Sequence, residues 1–234
     1  MVAGPCNDTA LVNARMTQLL IADDHPLFRL ALVQAVRDWM PDAKVHEADT
    51  LMAARSVLAG AADIDLVLLD LHMPGNRGLL GLVELRAEYP SVAVVLISAN
   101  DDPAVIRRAL NYGAAGYIPK RADLNAIKLG LAAVLNCEEY VPEDLRAAVA
   151  VGQTANADRE MAQRLSSLTP QQLRVLVLVA EGQLNKQIAD VLAIQERTVK
   201  AHLTTIFEKL GVRNRTQASA ILHHLETGDP ANRV

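Results

Sequence analysis

The stretch Leu66–Gly78, LVLLDLHMPGNRG, decides the fold of this chain. Four apolar residues, Leu66, Val67, Leu68 and Leu69, run straight into Asp70. An unbroken apolar run bounded by turn formers predicts a strand buried on both faces, as the strands of a parallel sheet are. Pro74, Gly75 and Gly78 forbid an immediate helix, so a loop must follow. Asp70 then stands at the carboxyl end of a central strand, where open α/β sheets place their ligand sites. A lone Asp in such a place ordinarily caps a turn or the next helix, so its role is decided by the other strand ends.

Outward from that stretch, further short apolar runs occur at Leu19–Ala22, Val45–Ala48, Val92–Ile97 and Gly116–Ile118. Helix-like amphipathic stretches alternate with them: Leu27–Trp39, Leu51–Leu58, Leu79–Glu88, Pro103–Asn111 and Leu124–Leu135. Strand then helix, five times over, predicts a doubly wound five-stranded parallel sheet of flavodoxin-like form, covering residues 17–137. Residues 138–165 include the small, polar run AVAVGQTANADREM and read as a linker holding at most a short helix. Residues 166–228 read as a small all-α domain.

The 234 residues are 51% apolar and 21% charged, the composition of an ordinary globular protein. No apolar run is long enough to span a bilayer, and the N-terminal segment lacks the basic head and apolar stretch of a signal peptide. Cys6 and Cys137 are isolated, which argues against a disulfide framework. A cytoplasmic protein with no membrane contact is the expectation. The net charge of −4 is uneven. Residues 1–165 hold 15 Lys and Arg against 21 Asp and Glu, whereas residues 166–228 hold 7 against 5. Polyanion binding therefore suits the back of the chain better than the front.

The strand ends carry the chemistry. The first run ends in Asp23 and Asp24, the third in Asp70, the fourth in Ser98, and the fifth in Lys120 just past Pro119. A parallel sheet brings all of these to one edge. Three clustered carboxylates repel one another unless a cation intervenes. Oxygen ligands without His or Cys suit Mg²⁺. A carboxylate beside such an ion, with an ammonium and a hydroxyl near, can accept a phosphoryl group. His72, two positions past Asp70, is expected to point out of the pocket.

This half resembles the receiver domain of bacterial response regulators. The matching residues are the acidic pair in ADDHPLF, the segment LDLHMPGNRG, the Ser-Ala of LISAN, and Tyr117 with Lys120 in GYIPK. The resemblance implies that Asp70 is phosphorylated by a partner histidine kinase or a small phosphodonor. It implies that Asp24, Asp70 and the backbone carbonyl of His72 bind Mg²⁺, with Asp23 helping through water. Lys120 would pair with the phosphoryl group, while Ser98 swings toward it and Tyr117 changes rotamer. Ala99 is small enough to leave the group reachable. One departure is Arg121, which follows Lys120 where many receivers have proline. The signalling loop, though not the acceptor chemistry, is expected to differ.

In the helical part, Thr169 and Pro170 open a helix with Leu173, Leu176, Val177 and Ala180 on one face, and Gly182 ends it. Asn185 can cap a second helix carrying Ile188, Ala189 and Leu192. A third, Glu196 to Leu210, buries Val199, Leu203, Ile206, Phe207 and Leu210 and is closed by Gly211. Two helices joined by a tight turn describe either a helix-turn-helix reader of the major groove or a helical dimerisation module. The segment LTPQQLRVLVLVAEGQLNKQIADVLAIQERTVKAHLTTIFEKLGVRNRTQA resembles the LuxR-type DNA-binding domain, and the whole chain the NarL/FixJ family of response regulators. Carried over, Lys200 meets a base edge or phosphate, Ala201 and Thr204 line the groove, and Asn185, Lys186, Thr198 and His202 contact backbone phosphates. The last helix, Gln217 to Leu225, offers the dimer contact. Gln195 stands where Ser or Thr usually precedes the recognition helix, and Gln187 where Glu is common.

The reading is thus a phosphorylation-controlled transcription factor rather than an enzyme. Its partners are a sensor histidine kinase and double-stranded DNA at promoter half-sites, and it pairs as a homodimer on phosphorylation or on DNA. In this family the unphosphorylated receiver often covers the recognition helix, and the sequence is compatible with that. An aspartate-based phosphotransfer enzyme is discounted, because such enzymes need a second carboxylate where His72 stands. A phosphorylation-independent dimerisation module is discounted because the acceptor set is complete.

Overall fold

The computed structural model describes residues 16–61, 63–150 and 155–227. Cys6, the N-terminal segment, residues 151–154 of the expected linker and residue 228 lie outside them. Strands β1 (Gln18–Ala22), β2 (Lys44–Ala48), β3 (Leu66–Asp70), β4 (Ala93–Ser98) and β5 (Gly116–Pro119) form one parallel sheet in the order β2-β1-β3-β4-β5. Every residue of β3 is buried, as its unbroken apolar run requires. Because side chains alternate along a strand, β3 feeds both faces. Leu66 and Leu68 pack with Leu32 and Val36 of α1 (Pro26–Trp39) and with Ile127 and Leu131 of α5 (Leu124–Leu135). Val67 and Leu69 pack with α2 (Leu51–Gly60), α3 (Leu80–Glu88) and α4 (Pro103–Asn111). The strand order reverses between β1 and β3, so the ligand crevice opens at their carboxyl ends, beside Asp23 and Asp70.

The expected linker is more ordered than its sequence suggests. It carries α6 (Glu143–Ala150) and α7 (Ala155–Ser166), and both pack against α4. The signal was faint because α7 buries little more than Ala162 and Leu165. Tertiary contacts hold it instead: Arg164, paired with Glu160 of its own helix at 2.6 Å, donates to the Leu210 carbonyl at 2.9 Å. After α5 the chain turns through Cys137, at φ +62°, and Tyr140 joins the sheet edge. There the Tyr117 N–H donates to the Tyr140 carbonyl (2.9 Å) and the Tyr140 N–H to the Ala115 carbonyl (3.1 Å).

Four more helices follow: α8 (Pro170–Ala180), α9 (Asn185–Leu192), α10 (Glu196–Leu210) and α11 (Arg215–Thr227). Thr169 and Gln172 close a reciprocal capping box on α8. On α9 the cap position falls to Leu184 rather than Asn185, and the Gln187 side chain accepts the Leu184 N–H at 2.7 Å. Gln195 gives α10 no side-chain cap, as expected. Gly211, at φ +68°, ends it.

The two domains meet at a seam. The Leu79 N–H donates to the Leu225 carbonyl at 3.2 Å, and Arg77 pairs with Glu181 at 2.9 Å and Glu226 at 3.1 Å. Gly78 adopts φ +56°, and a Cβ there would stand 2.7 Å from the Leu225 carbonyl oxygen, so the close approach needs glycine. On α4, Arg108 reaches His224 at 3.4 Å.

Candidate functional site: an acidic pocket and an exposed helix

At the sheet edge the strand ends converge as their topology demands. Asp23, Asp70 and Ser98 have no exposed surface. Buried carboxylates must be paired, and here both use one ammonium: Lys120 Nζ lies 2.8 Å from Asp23 Oδ2 and 2.9 Å from Asp70 Oδ2. Burial by itself would lower the pKa of Lys120, but the hydrogen bonds to Asp23 and Asp70 outweigh it and hold the value above the ordinary lysine range. The Lys120 N–H donates to the Ser98 carbonyl at 2.7 Å, which fixes the end of β5 against β4.

Asp24 is partly exposed and faces His25, whose Nδ1 lies 2.8 Å from Asp24, 3.3 Å from Asp23 and 4.0 Å from Asp70. His25 was not among the expected site residues, although it stands directly after the acidic pair. His72 does not point out of the pocket as expected. Its ring lines the pocket, with Nδ1 3.5 Å from Ser98 Oγ. The cause is local: residues two apart in extended chain share a face, so the ring falls on the side of Asp70, and the His72 N–H, donating to Asp70 Oδ1 at 3.1 Å, holds the turn there.

The pocket has a volume of about 480 Å³, and Ala99, Asn100 and Asp101 form its rim. The two residues expected to switch meet at Asn100. Its N–H donates to Ser98 Oγ at 3.1 Å, and its carbonyl accepts from the buried Tyr117 hydroxyl at 2.5 Å.

Asp23, Asp24, His25 and Asp70 each offer a ligand atom within 4.8 Å of the others. Asp23 Oδ2, 2.8 Å from Lys120 Nζ, and Asp24 Oδ1, 2.8 Å from His25 Nδ1, are buried oxygens with lone pairs to spare. Hard carboxylate oxygens whose bonding is incomplete fit Mg²⁺, with His25 sharing the place.

The second cluster lies on α9 and α10. Lys186, Lys200, Ala201 and Thr204 are exposed, while Asn185, Thr198 and His202 are half-buried. Val199, Ile206 and Leu210 anchor α10 from its other side, with Leu203 and Phe207 half-buried. Lys200 lies along the helix surface, 2.9 Å from Glu196, and Thr204 donates to the Lys200 carbonyl. A cover over this face, with which the sequence is compatible, is not observed among the described residues. The α/β domain grips α8 and α11 through Arg77 and Leu79, which leaves Lys200, Ala201 and Thr204 in solvent. On α11, Ala218, Leu222 and Leu225 are buried, whereas Gln217 and His223 are exposed.

Residues 19–132 match the response regulator receiver domain, and residues 166–222 match the luxR family of bacterial regulatory proteins. The glycerol metabolism activator of Pseudomonas putida is 42% identical over 206 residues, spanning 87% of this chain and 93% of that protein. The nitrate/nitrite response regulator protein NarL of Escherichia coli strain K12 is 32% identical over 212 residues, spanning 90% of this chain and 97% of that protein. In structure, RcsB from Salmonella enterica serovar Typhimurium, solved on promoter DNA with phosphomimetic BeF₃⁻, has a TM-score of 0.54 at 24% identity, covering 89% of this chain and 98% of RcsB. That likeness is one of fold. No helix among the described residues is long and apolar enough to cross a membrane.

Proposed function

Because the chain belongs to the response regulators that join a receiver domain to a LuxR-type DNA-binding domain, we propose that it is a transcription factor controlled by phosphorylation of Asp70 from a partner histidine kinase. The observation that carries this reading is the single Lys120 ammonium shared by two fully buried carboxylates at the topological switch point.

Asp70 acts as the nucleophile. A carboxylate oxygen attacks phosphorus, a new P–O bond forms, and the donor's bond to phosphorus breaks with the electron pair leaving on the donor. Lys120 stays protonated and turns its charge from Asp70 to the phosphoryl oxygens. Asp24, Asp70 and the His72 carbonyl, with Asp23 through water, are the residues suited to hold Mg²⁺, which when bound offsets the negative charge of the group. Ala99 leaves the acceptor open to a donor.

The response starts at Ser98. When its hydroxyl turns to the phosphoryl group it gives up the Asn100 N–H, and Asn100 is also the partner of Tyr117. The change passes to α4, on which α6 and α7 rest and whose Arg108 touches α11. Phosphorylation favours release of the seam and pairing of two chains on adjacent half-sites, since only a difference in free energy between two arrangements can alter DNA affinity. Lys200, Ala201 and Thr204 enter the major groove, with Lys200 leaving Glu196, while Asn185, Lys186, Thr198 and His202 hold phosphates.

The test is a titration of one DNA site with the full chain, unmodified and phosphorylated by a small donor in Mg²⁺. The phosphorylated chain is expected to bind more tightly and as a dimer. Equal affinity of the two forms would show that control does not run through DNA binding.

A further inference from the structure

Arg121, the residue that departs from the usual receiver pattern, joins two parts of the molecule. Its Nε lies 2.9 Å from Asp101 Oδ2 and its Nη2 lies 3.0 Å from Asp144 Oδ2. Asp101 follows Asn100, the residue on which Ser98 and Tyr117 converge. Asp144 lies in the first turn of α6. The same segment has a second tie, since the Tyr140 carbonyl accepts the backbone N–H of Tyr117. The Tyr140 ring lies so close to α5 that a Cβ at Gly130 would stand 2.8 Å from it. The segment from Tyr140 through α6 is therefore fastened to the β4–α4 loop and to β5, the two places where Ser98 and Tyr117 respond.

We propose that residues 140–150 are a reader of the acceptor site, released when a phosphoryl group on Asp70 draws Ser98 and Lys120 inward. Arg121 is next to Lys120 and shares its guanidinium between the loop and α6, so displacement of either neighbour costs it one ion pair. All three charged side chains are about half exposed, at 51% to 58%. Such pairs are individually weak. They suit a trigger that shifts a balanced equilibrium, not a strut. Tyr140 supplies the register, and Arg121 supplies the sensitivity. This inference rests on Asp70 being the acceptor.

The experiment uses the full chain and BeF₃⁻ with Mg²⁺ as a reversible phosphoryl mimic, and follows amide hydrogen exchange of residues 141–150 together with BeF₃⁻ affinity. Binding is expected to speed exchange in α6 about two- to fivefold, the scale of an exposed ion pair. Asp144→Ala should give that faster exchange without the mimic. By reciprocity it should also tighten BeF₃⁻ binding by the same factor, although Asp144 touches no pocket residue. Asp144→Glu, which keeps the charge, should restore both. A wild-type chain that binds BeF₃⁻ while α6 exchange stays constant overturns the reader alone, as does an Asp144→Ala chain with unchanged affinity. A chain that binds no BeF₃⁻ overturns the acceptor assignment and the reader with it.

Discussion

The proposed acceptor pocket and the proposed DNA-reading face are built in opposite ways. The pocket gathers Asp23, Asp70, Ser98 and Lys120 from the ends of separate strands and buries them almost entirely. Charges in such a place are tolerated only when paired, so the groups suited to the chemistry also hold the strand ends together. The reading face is one side of α10 with the start of α9, and its charges stay in water. Among the described residues, Lys200 pairs with its own helix neighbour Glu196. Geometry in the pocket is thus enforced by the core, while residues on the face are free to suit whichever sequence is read. Substitutions in the first should disturb stability and chemistry together, and in the second affinity alone.

The largest expected effect is that of Asp70→Asn, which should abolish phosphoryl incorporation because an amide forms no acyl phosphate. Stoichiometric labelling of that variant from a small donor in Mg²⁺ would sink the assignment. Next, Asp24→Ala should weaken Mg²⁺ binding at least about tenfold, as read by metal titration. Lys120→Ala should leave metal affinity intact and blunt the response. Unchanged affinity after removing Asp24 would count against the ligand set.

On the reading face, Lys200→Ala should cost roughly 1–3 kcal/mol of DNA affinity. If Lys200 meets a base, the loss is confined to the specific site. If it meets phosphate, the loss is uniform and the salt slope shrinks by about one unit. Its thermal stability should stay within about 0.5 kcal/mol of wild type, which separates the face from the pocket. At the seam, Gly78→Ala should cost about 1–2 kcal/mol, because φ +56° is strained for any side chain.

The smallest effect at neutral pH is a difference in shape. Lys120 has a raised folded pKa, so the stability from its pairing is complete below the ordinary lysine value. It is lost as pH rises through the higher folded value. The stability gap between wild type and Lys120→Met should hold at neutral pH and close in strong alkali. A gap independent of pH would mean that the ammonium charge does not matter there.

The strands were legible because an apolar run buried on both faces has few other interpretations, and each observed strand lies within a residue of its run. The convergence of Asp23, Asp70, Ser98 and Lys120 followed from parallel topology alone. The ring of His72 was legible in its spacing, since a residue two positions past Asp70 shares its face, and the expectation that it points outward overlooked that period. Helix α7 was not legible, since its short apolar stripe is completed by neighbours far along the chain. The seam was hidden for the same reason: Arg77 and Glu181 are 104 positions apart, and no local pattern records such a pair. The reading face showed through only as a family motif, because exposed side chains leave no periodic trace of what they touch.

The position of Tyr140 also bears on solubility. An outermost strand presents bare amides and carbonyls to any second chain, and natural sheets guard against this. At one border β2 carries Lys44 and Glu47, whose charge discourages a newcomer. At the other, β5 reads GYIP without a charge, and Tyr140 occupies the Tyr117 N–H and the Ala115 carbonyl. If, as proposed, signalling lifts Tyr140, the chain bares its least protected border. The share of molecules in the signalling state is then also the share open to strand-to-strand aggregation, with Pro119, which has no amide to offer, limiting the registers a second chain can take.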